Sequence, residues 1–322
     1  LRFRSKVALD SLERGRSDVG TYLSGKSVAV TGAGSGIGRA VALACAAEGA
    51  NVVVADLGVS IAGEDPSSEV ADKVVAEITA AGGTAVALAD TVTTMDGGQR
   101  VVQTALDNWG RIDGVVCVAG ILRERMLFNM AEDEWDSVVE THLKGHFTVF
   151  RAAAAVMRKQ GSGTLIGFTS GAFAGSVAQA NYSSAKGGIV SLVRSAALGL
   201  HRYGVTANCV APVARTRMSM NVPTELDMGE PEDVAPLVVY LLSDKARHIT
   251  GQVYTANGPK IALWNQPVEI RAMFTDGRWT PEEIERRLDA QLGQERMALL
   301  ERLEASKAAA DSGATPNKPP SA

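Results

Sequence analysis

Cysteine, aromatic residues and any excess of charge are all scarce in this chain. Cys45, Cys117 and Cys209 are the three thiols in 322 residues, and only 5 % of the chain is aromatic. Each cysteine lies alone in an apolar stretch, so a disulfide framework is excluded; reduced core thiols and a cytoplasmic setting are expected, and no metal site. Lys and Arg number 32 against 36 Asp and Glu, a net charge of −4. That balance gives no footing for a nucleic-acid surface or a polybasic membrane tether. No apolar run reaches the roughly 18 residues a membrane span requires. The opening "LRFRSKVALDSLERGR" lacks the apolar centre of a secretion signal, so export is not expected. A start on Leu reads as a processed or trimmed beginning, and residues 1–24 as a poorly ordered extension.

What is present is length, 46 % hydrophobic residues and a regular alternation of two periodicities. Short β-branched runs ("SVAVT", "NVVVADL", "TAVALAD", "RIDGVVCVAG", "GTLIGFTS", "VTANCVAP", "GQVYTAN") are separated by amphipathic stretches at helical spacing. Seven strands with helices between them predict an α/β fold, a doubly wound parallel seven-stranded sheet of Rossmann type. Chemistry is then expected in the loops after the strands. The alternation spans residues 25–256 as one catalytic domain. Residues 257–306 read as a helical C-terminal extension, with Thr280 as N-cap and Pro281 in the first turn. The small, polar, Pro-containing stretch 307–322 reads as a disordered tail.

The stretch "VAVTGAGSGIG" places four glycines at alternate positions directly after the first strand. A dinucleotide pyrophosphate needs free N–H groups and the positive end of a helix, and the backbone must come close to reach it. Gly32 suits the tight turn, Gly36 the phosphate and Gly38 the packing of helix on strand, with Ser35 and Ile37 in the same turn. The strand before it and the helix after it supply the context that distinguishes this motif from an ordinary turn. Asp56 lies 18 residues beyond Gly38, where a carboxylate reaches the adenosine ribose hydroxyls. A carboxylate there repels a 2′-phosphate, which favours NAD over NADP.

Tyr182 and Lys186 in "NYSSAKGG" are four apart and share one helix face. An adjacent ammonium is expected to favour the phenolate and bring the phenol toward acid–base range. With these residues in place, the sequence resembles the short-chain dehydrogenase/reductase family. Thr31 to Gly38 is similar to that family's cofactor motif, Asp90 to its adenine-contacting Asp after the third strand, and Tyr182 with Lys186 to its active-site pair. The resemblance implies Tyr182 as acid/base, Lys186 on the nicotinamide ribose, and a hydroxyl polarising the substrate carbonyl. Ser170 is assigned that last role through a one-residue deletion in "TSGAFAGSVAQANY", with Thr169 as the alternative. It also implies cofactor contacts from Thr91, Ala119, Gly120, Pro212, Val213 and Thr216.

Two departures from the family pattern stand out. Val118 replaces an Asn expected to brace the strand before Ala119 and Gly120, and His142 stands where an Asn anchors a water relay behind the Lys. His142 is either a structural histidine or a member of the proton path. Several segments, among them "AGILRERM" and "DEWDSVVETHLKGHF", are similar to the (3R)-hydroxyacyl-CoA dehydrogenase domains of peroxisomal multifunctional enzymes, which also carry that His. The resemblance implies NAD-dependent interconversion of a secondary alcohol and a ketone, on a small-molecule substrate that is CoA-linked or steroid-derived. A non-catalytic, NAD-binding scaffold is the alternative. Arg123, Arg125, Arg215 and Arg217 either meet CoA phosphates or are solvated surface residues; Met126, Met130, Met218 and Met220 either line an apolar pocket or pack the core. The small residues in "FRAAAAVMRK" and "GGIVSLVRSAALGL", with the family's usual interface, imply a homodimer or homotetramer.

Overall fold

The computed structural model describes residues 21–60, 66–216, 218, 228–293 and 297–311. Most of the N-terminal extension, Arg217, Met220 and the tail from 312 lie outside these residues. Two compact units emerge, one ending at Trp264 and one from Asn265 onward.

In the first unit the apolar runs form β1 (Ser27–Thr31), β2 (Asn51–Ala55), β3 (Thr84–Leu88), β4 (Gly114–Cys117), β5 (Gly163–Phe168), β6 (Val205–Pro212) and β7 (Val253–Asn257). All seven are parallel, in the order β3-β2-β1-β4-β5-β6-β7. The sheet has one strand more than the sequence suggests. β8 (Lys260–Leu263) folds back antiparallel on β7, with Asn257 paired to Lys260. It comes from the stretch read as helical, because the tight reversal at Gly258, φ +50°, turns the chain onto the open edge before the helices begin.

The helices are α1 (Gly36–Ala47), α2 (Glu69–Ala80), α3 (Met95–Trp109), α4 (Glu132–Val139), α5 (Gly145–Gln160), α6 (Ala180–Leu200) and α7 (Ala235–Leu242). Side chains alternate across each strand, so the sheet feeds two cores. Val28, Val30, Val52, Val54 and Val116 pack with Val41, Val74 and Leu241 from α1, α2 and α7. Ala29, Val53, Val115 and Leu165 pack on the opposite face with Val101, Val149 and Ile189 from α3, α5 and α6. Cys45, Cys117 and Cys209 are free and buried in these cores, and burial pushes each thiol up to about 12.

The second unit contains α8 (Pro281–Gln291) and α9 (Ala298–Asp311). Thr280 caps α8 as expected, its hydroxyl accepting from the Glu283 amide at 3.2 Å. Among the described residues no helix is long and apolar enough to cross a membrane, and no group of His, Cys, Asp or Glu has metal-ligand geometry.

Candidate active site

Strand order reverses between β1 and β4, which opens a crevice beyond their carboxyl ends. On its β1 side the wall is backbone. A Cβ at Gly38 would overlap the Gly32 carbonyl, and one at Gly32 would sit 2.6 Å from the Ala119 nitrogen. Both glycines are therefore required by close approach. Gly36 differs: at φ +52° it has nothing nearer than the Thr216 methyl, 3.7 Å from where a Cβ would stand. That open floor at the first residue of α1, with no acidic side chain in its first turn, suits an anion on the helix N-terminus. Ser35 is the extended N-cap of α1, and Ile37 packs on the core below.

Asp56 ends β2, and its carboxylate accepts from the Gly34 and Gly58 amides, each at 2.7 Å. Asp90 accepts from the Thr91 amide at 2.7 Å and is held by both forks of Arg100, which keep its carboxyl below the usual carboxylate range. Val213 donates to the Ala256 carbonyl at 2.8 Å, directly after Pro212 ends β6. Strand bracing at Val118 comes from Thr31: its carbonyl accepts from the Val118 amide at 3.2 Å and its hydroxyl from the Ala119 amide at 3.4 Å.

On the β5 side the crevice is walled by side chains. The Ser170 hydroxyl hydrogen-bonds the Tyr182 phenol and also accepts from the Ala172 amide at 3.2 Å. Thr169 faces away, 2 % exposed, donating to the Lys186 carbonyl at 2.8 Å. The Lys186 Nζ lies 5.3 Å from the centroid of the Tyr182 ring and donates to the Phe168 carbonyl at 2.7 Å. Burial pushes Lys186 down to about 7. It pushes the Tyr182 phenol up, with the Ser170 hydrogen bond opposing. Desolvation of the phenolate is thus the first influence on the phenol in this pocket.

Between α4 and α5 the helical path is interrupted by a π turn at Glu140–Lys144. His142 sits in that turn, fully buried, and meets Tyr182 edge-on with ring centroids 5.2 Å apart. Its Nε2 lies 2.8 Å from the Ile121 carbonyl and 3.2 Å from the Ile121 amide. Its Nδ1 is buried with no partner among the described residues. Gly120 is needed here because a Cβ would overlap the His142 ring. Burial first, and the nearby Lys186 second, hold His142 well below the usual imidazole range, so it is neutral.

Comparison with known proteins decides what this crevice belongs to. The family model described as enoyl-(acyl carrier protein) reductase matches residues 32–258. The chain belongs to the short-chain dehydrogenase/reductase family. It is 40 % identical over 282 residues to the hydroxyacyl-CoA dehydrogenase ChsB1 of Mycobacterium tuberculosis, covering 82 % of this chain and 87 % of that one. It is 45 % identical over 231 residues to the peroxisomal multifunctional enzyme type 2 of Mus musculus, covering 70 % of this chain but 31 % of that longer protein. A crystal structure of a short chain dehydrogenase from Mycobacterium avium is 44 % identical, with a TM-score of 0.77, covering 85 % of this chain and 97 % of that one. As a short-chain dehydrogenase/reductase the chain is an oxidoreductase of a nicotinamide-dependent fold, and its relatives include enzymes of acyl-CoA metabolism.

Two residues of this dehydrogenase site were not legible in advance. Asn181 is completely buried at the start of α6, where its amide donates to the Arg123 carbonyl at 2.9 Å and the Glu134 carbonyl at 2.8 Å. This fixes the turn that presents Tyr182. His146 lies beneath Lys186. Neither belongs to a spacing motif, so only three-dimensional contact reveals them. The arginines read two ways divide: Arg125 is forked onto Glu134, which also caps α4, and Arg215 lies 3.7 Å from Glu230. Met126 is 42 % exposed, and Met130 and Met218 are half-buried.

Proposed function

We propose that this protein is an NAD-dependent dehydrogenase that interconverts a 3-hydroxyacyl-CoA and its 3-ketoacyl thioester. The observation that carries the reading is the convergence of Ser170, Tyr182 and Lys186 on one crevice wall, opposite a glycine floor with room for a phosphate. The residues fit the cofactor: Gly36 leaves space for the pyrophosphate, Asp56 stands where ribose hydroxyls donate, and Ala119 and Gly120 admit the nicotinamide ribose. Arg39, at the start of α1, is paired with Glu77, and a carboxylate at position 56 disfavours a 2′-phosphate; both support NAD over NADP. Asp90, Thr91, Pro212, Val213 and Thr216 complete the cofactor rim in this reading.

When bound, the nicotinamide would supply the hydride acceptor and, in its oxidised form, a positive charge. Ser170 orients the substrate oxygen by donating to it. Tyr182 takes the hydroxyl proton as the carbonyl forms and returns it in the reverse direction. Lys186 holds its ammonium against the Phe168 carbonyl and steadies the phenolate electrostatically. His142 acts as a neutral brace, fixing Ile121 and so the Gly120 loop, and continues the proton path behind Lys186. Phe147 on α5 and Leu198 on α6 are exposed, which supports self-association through these helices as a dimer or tetramer.

The test is oxidation of a graded series of 3-hydroxyacyl-CoA thioesters with NAD, against the matching free acids, followed by the absorbance of reduced nicotinamide. The thioesters are expected to turn over and the free acids to fail. Tyr182→Phe is expected to lose about 1000-fold in rate, within the range for a positioned proton donor, while still binding NADH. Binding without turnover of any thioester would leave a scaffold in place of an enzyme.

A further inference from the structure

We infer that His146 is a positioning residue for Lys186, a wedge in the fork between β4 and β5 that holds Phe168, the residue whose carbonyl receives the lysine's ammonium. The inference rests on the role proposed for Lys186 above. β4 and β5 are paired up to Cys117 and Gly167 and then part. They part because the next two amides of the β4 chain, Val118 and Ala119, turn to Thr31 on β1. Phe168 on β5 therefore loses its partner across the sheet at the level of Ala119. A buried peptide group left unpaired is costly, so something must fill the fork.

Two side chains fill it. Lys186 donates to the Phe168 carbonyl at 2.7 Å, and the Phe168 amide donates to His146 Nε2 at 3.1 Å. One residue thus joins the ammonium to the imidazole, through the two peptide groups that flank the Phe168 Cα. The other ring nitrogen, Nδ1, lies 2.6 Å from the His142 carbonyl, within the π turn. An amide can only donate, so Nε2 carries the lone pair and Nδ1 the proton. The opposite tautomer would set an N–H against the Phe168 amide and a lone pair against the His142 oxygen.

His146 is 1 % exposed, and burial, with Lys186 adding to it, pushes it down to about 3. A neutral ring is the consequence, which suits a position beside an ammonium that has little solvent. The titratable groups around Lys186 are Tyr182 on α6, Cys209 on β6, His142 in the π turn and His146 on α5. None of these four is an anion at neutral pH, since the phenol and the thiol are both pushed up. The ammonium is therefore held by the Phe168 carbonyl dipole, and the group fixing Phe168 controls where the charge sits.

The experiment compares His146→Gln, which keeps a donor and an acceptor, with His146→Leu, which keeps the bulk and has neither. Each is read by NADH titration against pH, by kcat and KM, and by ¹⁵N NMR of the wild-type imidazole. His146→Leu is expected to weaken NADH about 10-fold, to lower kcat between about 10- and 100-fold with KM for the alcohol little changed, and to move the pH limb of NADH binding by about 0.5 unit or more. His146→Gln is expected to stay within about 3-fold of wild type with the limb in place. The NMR signal should be that of a neutral Nδ1–H ring from about pH 5 to about pH 8. Equal losses for Gln and Leu, an unmoved limb in both, or an Nε2–H ring would each overturn the assignment. Should His146→Leu not fold, the NMR tautomer and the Gln titration still decide. Should the wild type oxidise no thioester, the function proposed above fails, while NADH binding and NMR still test the wedge.

Discussion

The two walls of the crevice are made of different material. The β1 wall is backbone: glycines whose missing side chains let the β1 loop, the β4 loop and α1 come together, with Asp56 tying the loop down. The β5 wall is a set of polar side chains: Ser170 and Tyr182, half-buried, and Lys186, His142 and His146, buried and held by peptide groups at Phe168 and Ile121. One wall is specified by what is absent at fixed positions, the other by exact partners drawn from four elements. Where the loops touch, the first is broken by added atoms, and the second is broken by lost ones.

The largest effect should separate two glycines of the first wall. Gly38→Ala puts a methyl into the Gly32 carbonyl, and because backbone cannot yield as a side chain does, a loss of at least about 3 kcal/mol is expected, the upper range of overpacking. Gly36→Ala meets only open space, so it should cost about 1–2 kcal/mol for its left-handed backbone and yet weaken NAD binding severely. Thermal unfolding and cofactor titration distinguish them; equal melting losses would erase the contrast drawn here.

On the other wall, Ser170→Ala should cost on the order of 100-fold in kcat, as for a lost transition-state hydrogen bond. Thr169→Val should instead lower stability, by about 1 kcal/mol for the bond to the Lys186 carbonyl, with little change in rate. A larger rate loss at Thr169 would reverse the assignment.

One further effect concerns pH. Lys186 is about 7 when folded against an ordinary 10.5, so between these values the unfolded chain binds more protons and stability rises with pH. The cost of burying the charge is present in full below about pH 7 and fades toward about pH 10.5. Lys186→Met removes it, so the variant's melting temperature relative to wild type should be highest near pH 6 and fall as pH rises through that window. A constant difference would mean that the lysine is not strained by burial.

This contrast also accounts for what sequence could convey. The glycine spacing, the Tyr182 and Lys186 pair and the seven parallel strands are local patterns, set by periodicity and by steric need within a few residues. Choosing between Thr169 and Ser170 required the direction in which β5 ends, since adjacent residues point opposite ways. The π turn adds one residue to a helix whose hydrophobic periodicity continues on both sides, so it left no trace. β8 is four residues long, with Ile261 and Leu263 each 61 % exposed, and carries too little alternation to announce a strand. Asn181 and His146 act by plugging gaps between distant elements, which no window of sequence displays.

Asp56 has a consequence for anyone altering cofactor preference. Its two oxygens knit Gly34 and Gly58 together, so the group proposed to discriminate between dinucleotides is also a rivet in the loop proposed to receive them. Exchanging it for a small or cationic residue to admit an extra phosphate would strand two backbone donors at the same stroke. Asn keeps one acceptor oxygen without the charge, and is the gentler first step toward a relaxed enzyme.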